Sequence, residues 1–131
     1  MLDEIRKDLV ASFLLTKSHL TETQLDTILA GRIDGDLREK TERRDRGKVS
    51  KGAFVRTLRQ GQANIEASVY TLYLSAYLGL VSADTISQLA RTGGMLTKVR
   101  EADPDKEVSL KLIDAIQDFA EKLSGKRRFM S

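Results

Sequence analysis

Apolar residues recur at helical spacing along most of this chain. Leu2, Ile5, Leu9 and Phe13 lie three or four residues apart, so residues 2–16 are expected to form one amphipathic helix. In "LTETQLDTILAG" either Thr21 or Thr23 can cap the next helix, and Gln24 completes a capping box with Thr21. Leu25, Ile28 and Leu29 form its inner face, and Gly31 is expected to stop it. "RIDGDLREKTERRDRGK" has little apolar pattern. Leu37 is its one strong apolar residue between Asp34 and Lys48, so residues 36–45 read as a short exposed helix or a mobile arm.

Ser50 can cap a helix through residues 51–60, in which Phe54, Leu58 and Ile65 keep one face if the helix continues past Gly61. Residues 65–81, "IEASVYTLYLSAYLGLV", are apolar nearly all round. The uncharged run Ala67–Val81 is roughly 22 Å of helix at about 1.5 Å per residue, and a bilayer core needs about 20 residues. This segment is therefore expected to be a central helix, buried by its neighbours or by a second subunit. Ser82 caps the next helix, where Ile86, Leu89, Ala90 and Val99 mark one side and Gly93-Gly94 allows a close crossing or a break. Asp103-Pro104 reads as an N-cap followed by proline at the first helical position. Val108, Leu112, Ile113, Ile116, Phe119, Ala120 and Leu123 then make an amphipathic last helix ending at Gly125. No segment alternates with period two, so the expected class is all-α. The expected organisation is one domain over residues 1–131, with a reading unit at 20–65 and packing or dimerisation helices at 65–124.

Charge changes this picture more than composition does. The formal net charge is +3. Between Arg38 and Arg59, however, nine Lys/Arg stand against three Asp/Glu. Such a block is an electrostatic footprint for a polyanion. The chain has no cysteine and one histidine, His19. Disulfides and thiolate chemistry are excluded, and no metal or other cofactor is expected. Carboxylate pairs such as Glu4/Asp8 and Asp114/Asp118 have no nearby base or nucleophile in the pattern, so no enzyme is expected. "MLDEIRKDLV" lacks the apolar core of a signal peptide, which makes the cytoplasm the expected location. Tyr70, Tyr73 and Tyr77 form one stripe that reads as a core or dimer edge rather than a base-stacking platform. Lys126-Arg127-Arg128 reads as a solvated end.

Taking Phe54 as the centre of a buried face, Leu58, Gly61 and Ile65 fall within about 40° of it at 100° per residue. Arg56, Arg59 and Ala63 point the other way, with Gln60 on a flank. Arg suits phosphates or guanine edges, Gln suits adenine edges, and small residues let a helix approach a groove floor. Ser50 stands at the helix N-terminus, where free N–H groups suit a phosphate. Arg43, Arg44, Arg46 and Lys48 read equally as a soluble loop or as an arm on the phosphate backbone.

The stretches Leu20-Thr21-Glu22-Thr23-Gln24 and Val49-Ser50-Lys51-Gly52, with Phe54, Leu58 and Gly61, resemble the helix-turn-helix of sigma-factor region 4 and related regulators. The resemblance spans residues 20–65. It implies a first helix, a scaffold helix, and a recognition helix beginning at Ser50. The family's scaffold helix carries an Ile-Ala or Leu-Ala pair, whereas "LREKTERRDRGK" offers only Leu37 and Thr41. The expectation is a transcription regulator that binds double-stranded DNA in a sequence-specific way as a homodimer. Its contacts would be Arg43, Arg44, Arg46, Lys48, Ser50, Lys51, Arg56, Arg59 and Gln60. The alternative is a helical module that docks an acidic protein through the same basic face.

Overall fold

The computed structural model describes Met1–Lys126. Arg127 and Arg128, expected to form part of a solvated end, lie outside the described residues. The chain is all-α, with no strand among the described residues. Its helices are α1 (Leu2–Lys7), α2 (Leu9–Lys17), α3 (Glu22–Gly31), α4 (Leu37–Glu42), α5 (Lys51–Tyr77), α6 (Ala83–Glu101) and α7 (Lys106–Leu123). They divide into two compact units, Met1–Val69 and the chain from Tyr70 onward, with the boundary inside α5.

The first unit buries Leu2, Ala30 and Phe54, together with the polar Asp26, Thr27 and Thr41. The single helix expected over residues 2–16 is two helices, because Asp8 takes an extended backbone (φ −81, ψ 113) and its carboxylate accepts from the Ala11 N–H. Ser12 Oγ donates to the carbonyls of Ile5 and Arg6 at the end of α1, the first of which also accepts from the Asp8 N–H at 3.1 Å. The Thr21–Gln24 capping box forms as expected and starts α3. Of the two readings of residues 36–45, the short helix forms, as α4. Asp36 caps α4 through the Glu39 N–H, and Thr41 is turned inward.

The helix capped by Ser50 continues through Gly61 to Tyr77, so the two helices expected over 51–60 and 65–81 are one. Of residues 65–81, expected to be buried, only Val81 is buried by the chain's own described residues. Ile65 and Val69 are half exposed, and Tyr77 is 85% exposed. Gly79, at φ +72, turns the chain out of α5 in a conformation that suits glycine.

In the second unit only Val81 and Ser109 are buried among the described residues. Ser82 caps α6 as expected. Gly93 and Gly94 neither break α6 nor mark a close crossing, since a Cβ on either would meet nothing within 4 Å. The expected cap at Asp103 falls instead at Asp105, whose carboxylate accepts from the Val108 N–H. Asp103 itself takes a left-handed conformation, φ 51, in the turn. Half-buried Thr85, Leu89, Thr92, Leu96 and Val99 on α6 follow a seam alternating four and three residues. Ser109, Leu112, Ile116, Phe119 and Leu123 do the same on α7. This is the spacing of an α-helical seam. Phe119, Lys122 and Leu123 share an open cavity of about 570 Å³ with Asp84, Thr85 and Gln88, so the end of α7 lies beside the start of α6. The two helices form an antiparallel hairpin.

Candidate nucleic-acid interface

The first half of α5 is positioned by α3. Ser50 Oγ accepts from the Ala53 N–H at 3.1 Å, which caps the helix and engages that hydroxyl. Phe54 is fully buried, and its ring edge and Leu58 face Gly31. At Gly61 the two helices come closest. A Cβ there would lie 2.8 Å from Ile28 Cδ1 and 3.3 Å from Gln24 Cβ. A larger residue there would push the Ile28 side chain aside and crowd Gln24, so glycine suits this approach. Asn64 Nδ2 extends the seam by donating to Gln24 Oε1 and to the His19 carbonyl, both at 3.1 Å.

With that side fixed inward, Lys51, Arg56, Arg59 and Gln60 are exposed. None of the three cations enters an ion pair among the described residues. Gly52 and Ala63 are also exposed, and a Cβ on Gly52 would meet open space. The outward face of α5 therefore combines free cations with small residues.

The connector from α4 to α5 has a different character. Arg43 donates to the carbonyls of Ile33 and Asp34 and pairs with Glu39. Arg44 is 6% exposed and lies 3.7 Å from the Asp26 carboxylate, with its Nε making no hydrogen bond. It is turned into the fold, so the expectation that it reaches a ligand from the surface is corrected. Burial beside Asp26 is the reason. Arg46 pairs with Glu22 at 3.0 Å, and Lys48 lies 3.6 Å from Glu42. Arg46 and Lys48 remain largely exposed, but each already has a carboxylate partner.

Asp26 organises this connector, and nothing in its charge alone suggested that. Its two oxygens accept the backbone N–H groups of Asp45 and Arg46 at 3.0 and 2.9 Å. One sequence signal could have found it. Asp26 precedes Leu29 and Ala30 by three and four residues, which puts a carboxylate on an apolar face. Buried carboxylates are held where hydrogen bonds compensate them.

Two further carboxylates lock the same corner. Glu22 accepts from Arg6 Nε and Nη2 and from Arg46 Nη1. The Arg6 hydrogen bond, and then its charge and that of Arg46, hold the Glu22 carboxyl below the ordinary range against a smaller desolvation effect. The same contact raises the Arg6 guanidinium. Asp45 accepts from the Leu2 N–H at 2.8 Å and from the Met1 amine at 3.2 Å. These bonds lower its carboxyl, and the Asp45 bond raises the amine.

No known protein-family model, curated protein or solved structure matches this chain. The resemblance to sigma-factor region 4 therefore rests on the residues of the sequence alone. The geometry of the first unit departs from the motif. The connector between Glu42 and Lys51 is eight residues long, whereas a helix-turn-helix joins its helices by about three or four. Among the described residues, no three His, Asp or Glu side chains gather as a metal site would need. No described helix is long and apolar enough to cross a membrane.

Proposed function

We propose that this protein is a transcription regulator that binds double-stranded DNA in a sequence-specific way, as a homodimer, through the outward face of the first half of α5. One observation carries the reading. Lys51, Arg56 and Arg59 are exposed, and unpaired among the described residues, on a helix whose opposite side is fixed to α3, while the neighbouring connector cations are already paired or buried. A rigid cationic helix face loses little conformational freedom on meeting phosphates, and each neutralised phosphate releases counterions. Lys51, at the helix start, serves phosphate. Arg56 and Arg59, mid-helix, reach base edges, with Gln60 on the flank.

Selection from a random duplex pool followed by gel-shift titration tests this. The expected result is enrichment of a motif. Arg56→Ala should then lose about 1–3 kcal/mol on the preferred site and less on random duplex. Lys51→Ala should weaken all duplexes alike and flatten the salt slope by about one unit. Unchanged affinity in both folded variants would overturn the reading.

The eight-residue connector favours keeping one other reading, a module that docks an acidic protein through the same cations. Unlabelled duplex fails to compete such a partner away at concentrations where DNA binding would saturate.

A further inference from the structure

We infer that the exposed apolar face at the end of α5, from Tyr70 to Leu80, is the surface on which a second copy of this chain docks. Tyr70, Tyr73, Leu74 and Tyr77 stand at i, i+3, i+4 and i+7, the spacing of a helix face that packs on another helix. All four point outward, 59% to 85% exposed, and Leu78 and Leu80, next in the chain, are 61% and 71% exposed. At about 200 Å² per large side chain, these six residues present roughly 800 Å². A monomer rarely exposes a contiguous apolar patch beyond a few hundred Å². One partner's share of a standard specific interface is about 800 Å², so the residues from Tyr70 to Leu80 together expose an area of the order a stable dimer needs.

The charge pattern selects the occupant. No charged side chain stands between Glu66 and Asp84. A two-fold interface sets a patch against itself, so any charge near the axis would oppose its like. This face has none, and its tyrosine rings can stack offset across the axis with hydroxyls toward water. The α6–α7 hairpin exposes only the separate apolar residues Met95, Val108 and Leu110 among those described, and its two seams are half-buried. The inference gives the proposed homodimer its pairing surface and does not depend on DNA.

The test is sedimentation velocity of the full chain at micromolar concentration, with no nucleic acid. The expected mass is twice 14.6 kDa. The Tyr73→Glu/Tyr77→Glu double variant should sediment as a single chain with unchanged helical circular dichroism, while Arg56→Ala stays dimeric. Should the double variant lose helicity, Tyr77→Gln, a change at the most exposed of these positions, should still raise the dimer dissociation constant at least tenfold. A wild-type monomer overturns the inference, and one that co-floats with phosphatidylcholine vesicles assigns the face to a lipid surface instead. A dimer that survives in the folded double variant, or is unmoved by Tyr77→Gln, also overturns it by placing the interface elsewhere. Because no duplex is present, the result is read separately from the DNA titrations.

Discussion

The two units of this chain obey the same helical periodicity and reach opposite outcomes. In Met1–Val69 the apolar faces meet one another. Phe54 is fully buried, α3 approaches α5 closely at Gly61, and carboxylates at Glu22, Asp26 and Asp45 tie the connector down. From Tyr70 onward the helices are as well capped, yet only Val81 and Ser109 are buried among the described residues, and three tyrosines stand in solvent. The difference teaches that periodicity locates a face but not its cover. Cover needs a second face at the right distance, which the first unit supplies within the chain.

The largest effects that sharpen this contrast lie in the first unit's core. Phe54→Ala should cost about 3–5 kcal/mol, because it opens a cavity between α3 and α5. Asp26→Ala should cost a similar amount, about 3–5 kcal/mol, because it strands the buried Arg44 guanidinium and two backbone N–H groups. Urea unfolding followed by circular dichroism measures both. A cost under about 1 kcal/mol for either, the level of an exposed ion pair, would mean the first unit is no better packed than the second.

A matched pair of glycine substitutions comes next. Gly61→Ala gains about 1 kcal/mol of helix propensity but drives a methyl against Ile28 and Gln24, and overpacking typically costs about 1–3 kcal/mol. The expected net is a destabilisation of about 1 kcal/mol. Gly93→Ala in α6 meets open space, so it should stabilise by about 0.5–1 kcal/mol. Opposite shifts in the unfolding midpoint are expected. Shifts of the same sign would erase the distinction between a close crossing and an open helix.

Acid should also act on the first unit. Glu22 and Asp45 have carboxyls lowered in the folded state by hydrogen bonds from Arg6 and from Leu2. A lowered folded value means their contribution is complete above the unfolded pKa, about 4 for both. It is lost as pH falls through the folded values. The thermal midpoint of the wild type should fall on acidification below about pH 4, and that of Glu22→Gln should fall less. Equal falls would remove Glu22 from the cause.

Local signals were the legible ones. Thr21 with Gln24, Ser50 and Ser82 all cap helices where the sequence places them, because an N-cap and the N–H it serves are three residues apart. Features set by distant partners were not legible. The break at Asp8 and the cap at Asp105 each competed with an equally good neighbouring pattern. The inward turn of Arg44 depends on Asp26, eighteen residues earlier in the chain. The helix through Gly61 survives because α3 fills the space a side chain would occupy. For the candidate site, the outward face of α5 followed from the position of Phe54. The engagement of the connector cations did not follow, since charge counts carry no record of pairing.

That last point gives the smallest and most discriminating stability effects. Arg46 and Arg59 look alike in the sequence, two arginines in one basic block. Among the described residues Arg46 holds Glu22 at 3.0 Å while Arg59 enters no ion pair. An exposed ion pair contributes between about 0.2 and 1 kcal/mol, so Arg46→Ala should lower stability by no more than that. Arg59→Ala, a surface change without a partner, should stay within about 0.5 kcal/mol of the wild type. On duplex DNA the order should reverse. Arg59→Ala should weaken binding and reduce the dependence on salt, because a free guanidinium meets phosphate or base without first leaving a carboxylate. Arg46 must give up Glu22 to do the same, so Arg46→Ala should leave both affinity and salt slope near the wild type. Paired urea and gel-shift titrations of the two variants read this crossing directly. If Arg46→Ala weakens duplex binding as much as Arg59→Ala, the Glu22 contact opens in the complex. The connector would then belong to the interface alongside α5.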